Sequence, residues 1–259
     1  MRKIVGLIRW LLYGQMGINA VKIASVFRGL PRFAMNAVYF KKRYQGRLEW
    51  MPCVTDWYAE GGEAQGEYFW QDLYVARKIF DARPQRHIDI GSRVDGFVAH
   101  VASFREIEVF DIRPITATVP GIVFRKADLM QLDDSFNGCC DSLSCLHALE
   151  HFGLGRYGDP LDPLGHEIGM QNMAKLLSVG GVFYLSVPIG VACVQFNAHR
   201  VFNPIDVVKI AEKSGLILDG FAFVDQGDAI VESIEPKEDF RLLSSNAYVL
   251  GIFEFRKSR

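Results

Sequence analysis

The sequence predicts a doubly wound α/β fold, a mostly parallel sheet of seven strands with helices on both faces, preceded by a basic helical extension. Three observations carry this expectation. Short apolar runs alternate with helix-length periodic segments from residue 67 to the end of the chain. Residues 86–128 (RHIDIGSRVDGFVAHVASFREIEVFDIRPITATVPGIVFRKAD) read as strand, glycine turn, helix, and a second strand that stops on an acid. That acid, Asp111, follows Asp89 by 22 positions, the spacing that brings a carboxylate to the tip of the neighbouring strand in a nucleoside-binding βαβ unit.

The elements follow in order. Residues 1–60 form the extension and its linker, and 61–259 the sheet domain. The first 50 residues carry ten Lys or Arg against the single acid Glu49, a net of +9 that leaves −10 for the rest. Ile4, Val5, Leu7, Ile8, Trp10, Leu11 and Leu12 interleave with those cations, so this arm reads either as a helix lying on an anionic membrane surface or as helices packed on the core with a solvated basic face. Pro52, Gly61, Gly62 and Gly66 mark the linker. Glu67–Phe80 has helical spacing, and strands are expected at His87–Ile90, Ile107–Phe110, Gly121–Phe124, Cys139–Leu146, Val182–Val187, Leu216–Val224 and Ala247–Phe255. Helices are expected at Val94–Phe104, Pro163–Leu177 and Pro204–Ser214, the last capped by Asn203.

Composition narrows the function classes. A hydrophobic content of 49% in 259 residues suits one large packed domain plus an extension. Five cysteines, odd in number and without a C-x-x-C pair, read as reduced core residues of a cytoplasmic protein. No run of 18 apolar residues could span a bilayer, and Arg9 breaks the only stretch resembling a secretory signal, so the expected location is cytoplasmic, peripheral on the inner membrane face if the arm binds lipid. No zinc, helix-turn-helix or RNA-binding signature accompanies the basic arm, and nucleic acid is not an expected partner.

In an open α/β sheet ligands bind beyond the carboxyl ends of the strands. After the first strand come Asp89, Gly91 and Ser92, with Arg93 and Asp95 before Gly96. This turn lacks the full glycine set that closes on a diphosphate, and a carboxylate lining it suits an amino-acid ammonium, which favours S-adenosylmethionine over a nicotinamide dinucleotide. The alternative is a strand-to-helix turn with no ligand at all. Asp111 is the candidate for the ribose hydroxyls, and Asp128 for an adenine amino group or, alternatively, a helix cap. After the fourth strand, His147, Glu150, His151, Arg156, Tyr157 and Asp159 crowd into thirteen residues with three glycines. His147 and His151 share a helical face, but no third ligand is evident and no metal is expected. His199, with His151 and Glu150, is a candidate proton acceptor, and Arg200, Arg156, Tyr157 and Asp159 are candidates for holding substrate; Asn197–Arg200 also reads as a capped turn.

Across residues 65–255 the order of these motifs resembles the class I S-adenosylmethionine-dependent methyltransferases: IDIGS their first motif, VFDI with Asp111 their second, KADL with Asp128 their third, and LHALEH, containing His147, their fourth. More narrowly, DIRP, HALEHFGLGRYGDPLDP, SVPIG and FNAHRVF resemble the family catalogued as domain of unknown function 268. The resemblance implies a Rossmann-like methyltransferase sheet and S-adenosylmethionine as cofactor, with Asp89, Gly91, Ser92, Asp111, Asp128 and His147 around it. The expected reaction is methyl transfer to an oxygen or nitrogen nucleophile of a small molecule or glycan, such as a sugar in cell-surface polysaccharide assembly. The rival expectation is a membrane-associated module that keeps the fold without catalysis, because Arg93 and Asp95 stand where the family's second and third glycines belong.

Overall fold

The computed structural model describes residues 20–58, 64–225 and 227–259, and the chain divides into one unit ending at Glu63 and another running from Ala64 to Arg259. The first unit contains α1 (Ala20–Lys41), a helix with no acid in its first turn and Lys41 in its last. A Cβ at Gly29 would overlap the Val54 carbonyl, so glycine lets the helix meet the segment that returns along it. Arg28 and Arg32 lie over the rings of Tyr58 and Trp57. Val21, Phe27, Met35 and Tyr39 are exposed. The start of the basic arm, with Arg2, Lys3, Arg9 and the apolar residues 4–12, lies outside the described residues. Among the described residues no helix is long and apolar enough to cross a membrane.

In the second unit, α2 (Glu67–Ala82) precedes β1 (His87–Ile90), β2 (Ile107–Asp111), β3 (Ile122–Lys126), β4 (Cys140–Leu146) and β5 (Leu177–Ile189). After them come β6 (Cys193–Gln195), β7 (His199–Val201), β8 (Leu216–Val224), β9 (Ile230–Glu232) and β10 (Val249–Lys257). The main sheet runs β3-β2-β1-β4-β5-β10-β8-β9, while β6 and β7 form a separate hairpin. Strands β1 to β5 pair in parallel; β10 lies antiparallel between β5 and β8, and β9 antiparallel to β8.

The expected seven strands become eight. The extra one, β9, is three residues long and is returned to the sheet by the Asp225 turn, where Oδ1 accepts from the Gly227 and Ala229 amides at 2.9 Å each. Such a short edge strand has too few residues for alternation to show.

Side chains on successive strand positions point to opposite faces, which builds two cores. One packs Ile88, Ile90, Leu143 and Leu185 against α4 (Gly165–Leu176), α5 (Pro204–Lys213) and α6 (Pro236–Leu243). The other packs Ile107, Val109, Ile252 and Val224 against α2 and the turn after β1. Asn203 caps α5 as expected, accepting from the Ile205 amide at 2.9 Å. The expected helix Val94–Phe104 is instead a wide turn over Val94–Val98 followed by the short α3 (Ala99–Ala102). Gly96 breaks it at φ −128°, ψ −114°, where a Cβ would stand 2.7 Å from Asp72 Oδ2. Two of the cysteines expected in the core, Cys53 and Cys193, are exposed; Cys140 and Cys145 are buried.

Candidate active site

The carboxyl ends of the parallel strands open onto a cavity of about 560 Å³. At the β1 tip, Gly91 takes φ +73°, a conformation that favours glycine, and its amide donates to Phe110 O at 2.9 Å. Ser92 lines the cavity beside it. Asp89 does not. It is fully buried beneath the turn, where Oδ1 accepts from Ser92 Oγ at 2.8 Å and Ser144 Oγ at 2.6 Å and Oδ2 from the Ser92 amide at 3.0 Å. Burial pushes its carboxyl up to about 7 despite these hydrogen bonds. Asp89 therefore shapes the turn from beneath it and is not among the residues that line the cavity, where the sequence placed it. Asp95 is corrected too: it points into solvent, paired with Arg93 at 2.7 Å, and is not part of the lining.

Asp111 and Asp128 reach the cavity from the tips of β2 and β3. Asp128 Oδ1 accepts from the Met130 amide at 2.9 Å, the loop-capping arrangement, while the residue still faces the cavity. Asp111 is already engaged. Arg113 Nε donates to Oδ1 at 3.1 Å and Nη2 to Oδ2 at 2.6 Å, while the Arg113 guanidinium rests 4.4 Å from the centre of the Tyr157 ring.

The opposite side of the cavity is an acid–base cluster. His147 leaves β4 at φ +53°, unusual for a residue with a side chain, with its amide 3.1 Å from Ser186 O. That turn sets its Nδ1 2.9 Å from Glu150 Oε1 and its Nε2 3.4 Å from Glu67 Oε1, the latter without hydrogen-bond alignment. Burial works against charge on the ring, but the hydrogen bond and charge of Glu150, with Glu67 and Asp72 beyond, outweigh it and raise the imidazole above its ordinary value. Glu150 is 1% exposed; burial would raise it, yet His147 and the more distant His151 hold it below its ordinary value. Its Oε2 has no hydrogen-bond partner among the described residues, and neither has His199 Nε2.

His151 and His199 both line the cavity, and burial lowers both, which keeps them neutral near pH 7. His151 Nδ1 meets Ala198 O at 2.7 Å and leaves Nε2 3.7 Å from Glu150 Oε1. Tyr157 stands edge-on to His151 at 5.4 Å.

Three of the residues expected to hold substrate have other work. Arg200 is 5% exposed and outside the cavity lining; Nη1 donates to Phe152 O at 2.6 Å and Glu150 O at 3.3 Å, and Nη2 to Pro163 O at 3.3 Å. It fastens the loop after β4 to the β6–β7 hairpin. Asp159 lines the cavity, but its two oxygens accept from the Gly155 and Tyr157 amides at 3.0 and 3.1 Å. Arg156 also lines it while Nη1 donates to Ala198 O at 2.8 Å.

The sequence reading missed the contribution of α2. Glu67, Tyr68, Gln71 and Asp72 all face the cavity. Their signal was polar residues at positions one, five and six of an otherwise apolar helix face, with Gln71 and Asp72 buried. Arg113 and Tyr248 were likewise missed. Among the described residues no group of three or more His, Cys, Asp or Glu is arranged to hold a metal ion.

Residues 122–236 match the family described as "Caenorhabditis protein of unknown function, DUF268". A search of curated proteins finds no match. Among solved structures, the chain is similar to the Burkholderia thailandensis 1,6-didemethyltoxoflavin-N1-methyltransferase, solved with 1,6-didemethyltoxoflavin and S-adenosylhomocysteine: 14% identity over 73% of this chain and 79% of that one, TM-score 0.52. It is also similar to the N-methyltransferase NodS of Bradyrhizobium japonicum WM9, solved with S-adenosylhomocysteine, at 15% identity over 73% and 86% of the two chains, TM-score 0.49. The chain thus has the Rossmann-like class I methyltransferase fold.

Proposed function

We propose that this chain is an S-adenosylmethionine-dependent methyltransferase acting on an oxygen or nitrogen nucleophile of a small molecule. The observation that carries the proposal is that Gly91, Asp111 and Asp128, at three adjoining strand tips, line the same cavity as the Glu150–histidine cluster. The residues fit the cofactor: a glycine turn at φ +73° whose missing side chain leaves room for Ala148 in the cavity wall, a carboxylate for ribose, an acid at the next tip, and a volume within the roughly 300–1,000 Å³ usual for such ligands. In this reading Asp111 holds the ribose, Asp128 the adenine amino group, and Gly91, Ser92 and His147 the amino-acid end.

When bound, the cofactor supplies a methyl group made electrophilic by its sulfonium. The chain's own residues then orient the acceptor and take its proton, with Glu150, His151 and His199 as the proton-accepting groups and Arg156 and Tyr157 on the acceptor side. Our finer reading is a glycan acceptor, a sugar in cell-surface polysaccharide assembly, reached at the cytoplasmic face of an anionic membrane through residues 1–50. Its support is the charge of +9 in that segment and the exposed apolar side chains of α1. Loss of full-length protein from sedimenting phosphatidylserine vesicles would remove the membrane part alone.

Titration calorimetry with S-adenosylhomocysteine tests the central proposal: saturable heat and a raised melting temperature are expected. The second reading, a non-catalytic module of the same fold, is favoured by the grip of Arg113 on both Asp111 oxygens. No heat and no thermal shift at millimolar ligand would favour that reading instead.

A further inference from the structure

Glu67 opens α2, far in sequence from the strand-tip motifs, yet it belongs to the acid–base cluster. Tyr248 Oη donates to its Oε1 at 2.7 Å, the same oxygen lies 3.4 Å from His147 Nε2, and His147 Nδ1 lies 2.9 Å from Glu150 Oε1. One imidazole thus stands between two carboxylates, one at each ring nitrogen. Nδ1 is within hydrogen-bond distance of Glu150 while Nε2 has no aligned partner, so Glu67 acts on the ring through its charge, and negative charge on both sides of one imidazole favours the charged ring. Glu150, with 1% exposure, would otherwise be driven toward its neutral form by burial.

The remaining surroundings of His147 point the same way. The Tyr68 ring lies 4.4 Å away, and Asp72 adds negative charge from the same helix. Against the cation stand His151 and His199, both lowered by burial, and Arg156, whose guanidinium is turned to Ala198 O.

We propose that Glu67 is a positioning residue which, through a charged His147, keeps the enclosed carboxylate of Glu150 ionised.

The test is an NMR titration of the full chain, labelled in histidine and glutamate side chains, with the His147 and Glu150 signals assigned from H147N and E150Q. In the unsubstituted protein His147 titrates above an ordinary histidine and Glu150 is ionised at neutral pH. E67Q shifts the His147 midpoint downward and E67D restores part of the shift. Y248F removes the phenol hydroxyl but keeps the carboxylate, so its His147 stays above the ordinary range. A His147 midpoint at or below the ordinary value, a protonated Glu150 at pH 7, or an E67Q midpoint equal to that of the parent would overturn the proposal. Should E67Q fail to fold, E67A takes its place in the same titration, and a His147 midpoint equal to that of the parent would overturn the role of Glu67. The titration needs no cofactor, so its outcome is separate from the calorimetry that tests the methyltransferase reading.

Discussion

Arg113 closes a two-pronged ion pair on Asp111, with Nε 3.1 Å from one carboxylate oxygen and Nη2 2.6 Å from the other, while the Arg113 amide donates to Oδ1 at 2.8 Å. Nη2 also reaches Gly91 O at 3.4 Å, so the guanidinium bridges the tips of β1 and β2, where the ribose is placed in our reading. The ribose hydroxyls and Arg113 compete for the same oxygens.

The competition gives opposite expectations for two substitutions. Arg113→Ala should tighten S-adenosylhomocysteine binding about three- to tenfold, an order of magnitude suited to releasing one partly exposed charge-assisted pair. Asp111→Ala should weaken it at least about tenfold. Calorimetry on both variants checks this, and equal weakening by the two would make Arg113 part of the cofactor site.

Stability should fall with rising pH because of Asp89, whose folded carboxyl is pushed up to about 7 by burial. An unfolded Asp ionises near 3.9, so between roughly pH 4 and 7 the folded state holds a proton that the unfolded state has released. The folded state is therefore penalised increasingly through that window and the penalty levels off above it. Asp89→Asn keeps a neutral group able to bond Ser92 and Ser144. We expect it to be more stable than the parent at pH 8 by a few kcal/mol (roughly 1.4 for each pH unit of displacement) and equal to it near pH 4. Urea unfolding at the two pH values measures the difference; a gap that does not change with pH would refute it.

Arg200→Ala should act on stability. The buried guanidinium holds three loop carbonyls, and removing it deletes all three of these hydrogen bonds. A loss of about 3 kcal/mol is expected, which for a domain of this size lowers Tm by about 6–12 °C. Differential scanning calorimetry reads this directly, and a Tm within a degree or two of the parent would return Arg200 to a substrate-holding role.

Gly96→Ala should be coupled to Asp72. The added methyl would meet Asp72 Oδ2 at 2.7 Å, and Asp72 is buried beside Gln71, whose Nε2 donates to it at 2.8 Å. Alone, the substitution should cost about 1–3 kcal/mol through overpacking. In the Asp72→Ala background most of that cost should vanish, a coupling of at least about 1 kcal/mol in a double-mutant cycle. Additive effects would show that Gly96 is needed for its backbone conformation alone.

Much of the cavity was legible because its signals are local. Asp111 and Asp128 were found from strand ends, and His147, Glu150 and His151 from their crowding after β4; all five line one cavity. Asp95 was misread for a reason that is also local to the structure. Its nearest cation, Arg93, draws it outward into solvent, and sequence spacing carries no information on which way a turn side chain faces.

The amino-acid sequence by itself determined the alternation of strands and helices, the glycine turn after β1 and the acids at the strand tips, since periodicity and turn chemistry act over a few residues. Only the tertiary structure decided the partners. It joined Tyr248 to Glu67 across 181 positions, laid Arg200 on carbonyls up to 50 positions away, and turned His147 between two carboxylates. The physical reason is that the charge state of a buried group depends on what packs against it. Packing is settled only when the sheet brings remote segments together.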